Sequence, residues 1–225
     1  MKIVILGGNG LLGNELKKLD SNLICSGREY DITDYKKIQN YLNEINPDII
    51  VNAAAETNSV IIKKDPLKAI QTNIIGAANI SKYCIQYNKK LVYISTDYIY
   101  PGTGNHKEND NLSPSNEYAW TKLGGECSTK LVSNHLIIRT SFGPLKFPYK
   151  EAFENLWVSK DYVNVIAPKI LKAIKSDIKG ILNIGTERKN MYIYATKTTK
   201  VNKGNLPSGK DFSLNLDLYN ELFNN

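Results

Sequence analysis

The sequence predicts an α/β protein: a doubly wound parallel sheet carrying a small, shortened C-terminal lobe. Two observations carry this. Short apolar runs rich in branched residues alternate with longer amphipathic stretches, and a glycine-rich turn follows the first apolar run. The runs KIVIL, NLICS, DIIVNAAA, KLVYIS and HLIIRT show little polar alternation, as expected of strands covered on both faces. Amphipathic residues 11–19, 34–45, 66–88 and 117–132 fill the gaps and read as helices. Asp34 and Asp65-Pro66 supply N-terminal signals for two of them, since a short acidic side chain caps free amides and proline suits the first helical position. Strand–helix alternation at this spacing requires right-handed crossovers and a parallel sheet.

After about residue 142 the pattern changes. SFGPLKFPYKEAF has four aromatics, two prolines and little periodicity, and reads as loop or lobe. Residues 162–177 read as helix, GILNIG as a strand, and the tail from 186 as two short strand-like pieces and a last helix, DLYNELF. The predicted division is therefore 1–142 for the sheet domain and 143–225 for a small lobe, interleaved with the last strand and helices of the sheet domain.

Composition narrows the function classes. With 42% hydrophobic and 23% charged residues, 225 residues suit one globular unit with a substantial core. No apolar run is long enough to span a bilayer, and MKIVILGG enters a strand without the features of a signal peptide, so a cytoplasmic protein with no membrane partner is expected. Cys25, Cys84 and Cys127 form no CxxC pair and read as reduced thiols. His106 and His135 lack metal-ligand spacing and read as structural, so no metal is expected. The net charge of +7 is spread along the chain rather than massed in one block. That argues against nucleic acid and for a mild field favouring phosphorylated small molecules.

KIVILGGNGLLGNEL places Gly7, Gly10 and Gly13 between a strand and a helix. Glycine lets the backbone turn sharply and approach a pyrophosphate, while the helix N-terminus presents amides to it. Gly7, Asn9, Gly10, Leu11, Leu12 and Gly13 are the candidate phosphate cradle of a dinucleotide-binding, Rossmann-type domain. At the end of the second strand a carboxylate favours NAD and a cation favours NADP. The strand here ends in LICSGREYD, with Arg28 available and Glu29 beside it, so NADP(H) is expected over NAD(H). Ala53, Ala54 and Ala55 would let a dinucleotide lie flat against the third strand's end. Ser95, Thr96 and Tyr98 stand at the end of the fourth. Tyr118 and Lys122, four apart in NEYAWTK, share one helix face. Alone they are an ordinary surface pair; beside a glycine cradle and Thr96 they become a proton donor and a cation that lowers its pKa.

The order of Gly7/Gly10/Gly13, Asp31, NAAAET, STDYIYPGTG, YAWTK and RTSFG resembles the extended short-chain dehydrogenases/reductases. STDYIYPGTG followed by YAWTKLGGE looks most like the dTDP-4-dehydrorhamnose reductases, densely over residues 1–142. The resemblance implies NADPH-dependent reduction of the C4 ketone of a nucleotide-linked 4-keto-6-deoxy sugar. Tyr118 is then the acid, Lys122 its tuner and the anchor of the nicotinamide ribose, and Thr96 the group orienting the carbonyl, aided by Ser95. By the same analogy Asp31 and Ile32 lie near the adenine and Asn73 near the active site, while Glu56, Thr57, Thr96, Tyr98 and Phe142 contact the sugar. Two alternatives stay open: a nucleotide-sugar epimerase or dehydratase of the same superfamily, and a non-catalytic NAD(P)-binding regulatory subunit. The chain departs from the family in its short stretch after RTS, and in Phe142 where tryptophan is common. A reduced lobe allows an altered nucleotide, a smaller substrate, or completion of the site in a homodimer.

Overall fold

The computed structural model describes residues 1–223. Its first part runs β1 (Ile3–Leu6), α1 (Leu11–Leu19), β2 (Ile24–Ser26), α2 (Tyr35–Ile45), β3 (Ile49–Asn52), α3 (Ser59–Lys64), α4 (Pro66–Ala69), α5 (Ala77–Gln86), β4 (Lys90–Thr96), α6 (Glu117–Thr129) and β5 (His135–Thr140). The second part runs β6 (Phe142–Gly143), β7 (Glu151–Phe153), β8 (Leu156–Val158), β9 (Asp161–Tyr162), α7 (Val163–Lys175), β10 (Gly180–Ile184), β11 (Lys189–Asn190), α8 (Met191–Thr196), β12 (Asn202–Gly204), β13 (Lys210–Phe212) and α9 (Asp217–Phe223). Six parallel strands form the main sheet in the order β10-β5-β4-β3-β1-β2.

The two-residue period of a strand explains why its runs are apolar throughout. Ile3 and Ile5 of β1 pack with α1, α7 and α9, whereas Val4 and Leu6 pack with α2 and α5 on the opposite face. Each fully buried isoleucine or leucine stabilises the fold by about 1.5–3 kcal/mol, so both layers are held firmly. The expected caps are in place. Asp34 accepts from the Lys37 amide at the start of α2, and Asp65 accepts from the Leu67 amide with Pro66 opening α4. Cys25, Cys84 and Cys127 are free thiols on β2, α5 and α6. Among the described residues no helix is long and apolar enough to cross a membrane.

Two expectations need correction. The helix foreseen over 66–88 is not uniform: a π-helical turn, Ile70–Gly76, joins α4 to α5. A π turn inserts one residue into the helical register, which no apolar period records. It seats Gly76 against Ile32, where an added Cβ would lie 2.6 Å from Ile32 Cδ1. The tail is also richer than two strand-like pieces and a helix, since β11, α8, β12 and β13 all precede α9. Strands of two or three residues are too short to show a period, and their partners are remote. β12 pairs with β7 and β13 with β8. These strands and α8 enclose a second core of Phe147, Ala152, Val158, Tyr162, Met191 and Tyr194.

Candidate active site

The site begins where the sheet's winding reverses, between β1 and β3. Ligands of doubly wound sheets settle at the carboxyl ends of the strands flanking such a point. Gly7 turns the chain there at φ 82°. A Cβ on Gly7 would lie 2.7 Å from the Ala54 nitrogen, so only glycine lets the ends of β1 and β3 come this close. Gly13, one turn into α1, rests on the backbone of Gly8. No side chain caps α1, and Gly10, Leu11, Leu12 and Gly13 at its start line the cleft, leaving amides for an anion.

One end of the cleft, about 600 Å³, is walled by Gly7, Asn9, Gly10, Arg28, Asp31, Ile32, Ala53, Ala54, Ala55 and Glu56. Arg28 and Glu29 are both exposed here, and Glu29 turns its Oε1 back to accept from the Gly27 amide at 2.7 Å. The other end, about 590 Å³, is walled by Thr57, Ser95, Thr96, Tyr98, Tyr118, Lys122 and Phe142, with Gly7, Gly10, Ala53 and Ala55 common to both. The two ends are therefore one continuous cleft. Ser95 Oγ and Thr140 Oγ1 are buried at its floor without a partner among the described residues. A glycine cradle, free helix amides and two orphaned hydroxyls fit an extended dinucleotide ending beside Tyr118.

Asn116 starts α6 by accepting from the Ala119 amide at 2.9 Å. Tyr118 and Lys122 follow one turn apart and reach the same cleft wall. Lys122 is only 1% exposed, and its Nζ lies 4.0 Å from the centre of the Tyr93 ring. Burial brings its pKa down to about 7, with Glu126 opposing the fall. The Tyr118 hydroxyl is pushed above the usual phenol range, first by burial and then by Asp97. The expected lowering of Tyr118 by Lys122 is therefore corrected. A desolvated phenol costs more to ionise than a partly neutral lysine can recover, so the Tyr118 phenol is held protonated. Thr96 Oγ1 accepts from the Tyr98 amide at 3.3 Å and donates to Asp97 Oδ1 at 3.2 Å.

Asn73 does not reach the cleft wall. It is 1% exposed and bridges the loop after β3 to α6. Its Oδ1 accepts from the Glu56 amide at 2.8 Å, and its Nδ2 donates to Glu56 O at 2.9 Å and Thr121 Oγ1 at 2.8 Å. Thr121 in turn donates to Tyr118 O at 2.8 Å. Asn73 thus supports the backbone of Glu56 directly and that of Tyr118 through Thr121. The wall also includes Lys68, Thr72, Asn116, Ser141, Tyr149 and Lys160, which sequence reasoning did not single out. Lys68 comes from the altered helix and pairs with Glu56 at 3.0 Å. Tyr149 and Lys160 come from the lobe, whose docking leaves no local signal. His106 accepts from the Gly104 amide at 3.1 Å and stacks on Tyr100, and His135 Nδ1 lies 2.6 Å from Val132 O. No cluster of metal-ligating side chains occurs among the described residues.

Residues 1–171 match the family model described as the RmlD substrate binding domain. A dTDP-4-dehydrorhamnose reductase of Salmonella typhimurium is 35% identical over 153 residues, which are 63% of this chain and 51% of the relative. The chain spans about two-fifths to three-fifths of the length of the curated relatives it matches. Two solved structures superpose closely. One is a hypothetical dTDP-4-dehydrorhamnose reductase from Sulfolobus tokodaii, with TM-score 0.88 and 26% identity, covering 99% of this chain and 95% of the other. The second is a dTDP-4-dehydrorhamnose reductase from Bacillus anthracis in complex with NADP, with TM-score 0.86 and 25% identity, covering 99% and 92%.

Proposed function

Because the chain belongs to the family of RmlD substrate-binding domains, we propose that it is a cytoplasmic NADPH-dependent reductase acting on the C4 ketone of a nucleotide-linked 4-keto-6-deoxy sugar. The observation that carries this reading is the sharing of one cleft by the Gly7-to-Gly13 cradle and the trio Thr96, Tyr118 and Lys122. The names of the relatives support a dTDP sugar, and the NADP complex of the Bacillus anthracis protein supports NADP as the dinucleotide.

In this reading a bound reduced nicotinamide supplies the hydride for the ketone carbon. The chain's own residues do the rest. Gly7, Asn9, Gly10, Leu11, Leu12 and Gly13 hold the pyrophosphate, Asp31 and Ile32 the adenosine, and Arg28 the added phosphate. Ala53, Ala54 and Ala55 give the dinucleotide a flat bed. Lys122 anchors a ribose, and Ser95 adds a hydroxyl at the same floor. Thr96 donates to the ketone oxygen and aligns it. As negative charge gathers on that oxygen, Tyr118 transfers its hydroxyl proton there and is reprotonated from solvent. A phenol kept protonated by burial suits the reductive direction, where the group gives a proton rather than takes one. Glu56, Thr57, Tyr98 and Phe142 flank the space for the sugar, and the lobe closes it with Tyr149 and Lys160.

The test is loss of NADPH absorbance with dTDP-4-dehydrorhamnose and with its UDP counterpart. Tyr118→Phe should cost about a hundredfold or more in turnover, the usual worth of a placed proton donor. Net sugar isomerisation without consumption of cofactor would support an epimerase instead. Tight NADPH binding with no turnover of any keto sugar would support a binding subunit.

A further inference from the structure

Asp97 follows Thr96 directly and opens the short 3₁₀ turn Asp97–Ile99 at the end of β4. It is wholly buried. Its Oδ1 accepts the Thr96 hydroxyl at 3.2 Å, and its Oδ2 has no partner among the described residues. The Thr96 oxygen already accepts the Tyr98 amide at 3.3 Å. A hydroxyl owns a single hydrogen, and here that hydrogen is spent on Asp97. The reductase reading needs the same hydrogen on the ketone oxygen.

We propose that Asp97 is a positioning residue that sets where the Thr96 hydrogen points, and that the site is competent when Asp97 carries a proton. The inference rests on the role given to Thr96 under the proposed function. A carboxylate holds a donor roughly twice as strongly as a neutral acceptor does. Protonating the free Oδ2 therefore weakens the claim of Oδ1 on Thr96 and lets the ketone compete. Several groups bear on this carboxyl. Lys160, from the lobe, and Ser141, after β5, favour its ionised form, while Tyr98 and the α6 residue Tyr118 feel its charge. Burial outweighs Lys160, Thr96 and Ser141, and pushes the Asp97 pKa up to about 7. Protonation is thus available within the range where the protein would work.

The experiment has two arms. Infrared titration from about pH 5 to about pH 9, wild type minus Asp97→Asn, follows the protonated carboxyl band without any substrate. The band should persist far above the ordinary carboxylate range. Its midpoint should rise in Thr96→Val, which removes the hydrogen bond favouring the ion. In the turnover arm, kcat/KM should fall as pH rises past about 7. Lys122 titrates in the same range, so the wild-type fall follows two protons and the Asp97→Asn fall only one. A band lost by about pH 5, a midpoint unmoved by Thr96→Val, or coincident pH profiles would each overturn the proposal. Absence of keto-sugar turnover in the wild type would instead defeat the reductase reading, with the infrared arm still deciding the coupling of Asp97 to Thr96.

Discussion

Replacing Lys122 by methionine should make the protein more stable and inactive at once. The lysine is 1% exposed, and its pKa falls from 10.5 to about 7. At about 1.36 kcal/mol per pKa unit, that difference sets a ceiling of about 5 kcal/mol on the cost of keeping the ammonium charged inside the fold. Apolar replacement of buried ions gains about 1–4 kcal/mol in practice, which is the range expected here. The sign follows from proton counting. Below pH 7 the lysine is charged in both states, and the full cost is present. Between about 7 and 10.5 the folded protein sheds its proton first, so wild-type stability rises with pH. Above 10.5 the cost is gone. Urea unfolding at about pH 6 and about pH 9.5 should therefore show a large advantage for Lys122→Met that shrinks at the higher pH. An advantage of equal size at both values would refute the reasoning, because packing alone has no such dependence.

Three further outcomes can be checked. Arg139→Met strands Glu126, whose Oε2 lies 2.8 Å from the Arg139 guanidinium with both side chains 1% exposed; thermal unfolding should show a loss of about 3–5 kcal/mol. Gly13→Ala puts a Cβ into the backbone of Gly8 and forces α1 away from the cradle; NADPH titration should show binding weaker by roughly tenfold or more, about 1.4 kcal/mol. Arg28→Ala should lower the ratio of NADPH to NADH efficiency roughly tenfold, since a cation there is what favours the extra phosphate; an unchanged ratio would assign the selectivity elsewhere.

The central strands β1 and β4 were legible because both are buried on both faces, so IVIL and LVYI run without a charged residue. The cleft was legible because Gly7, Thr96 and Tyr118 stand at chain positions where strands end or helices begin, and topology alone brings strand ends together. What the chain concealed is of another kind. The π turn that aims Asn73 at Glu56 and Thr121 differs from an α-helix by one residue of register. The raised Tyr118 and lowered Lys122 depend on desolvation, which a four-residue spacing does not report. Lys160 and Tyr149 enter the cleft only through the docking of the lobe.

That lobe is not a continuous segment. The chain leaves the main sheet after β5, returns for α7 and β10, leaves again for β11 through β13, and comes back in α9. Parallel pairings of β12 with β7 and of β13 with β8 join the two excursions. Apart from β6 and β9, which pair within the first excursion, the strands of each find their partners in the other, and both are anchored in the sheet. The region that brings Tyr149 and Lys160 to the cleft therefore cannot be excised or transplanted as a module, and amides of β8 should exchange with solvent through the same opening event as those of β5. A cut at the Tyr162–Val163 bond, where β9 runs straight into α7, would leave two interlocked fragments rather than a freed lobe, so a nicked protein should stay associated until it unfolds as a whole.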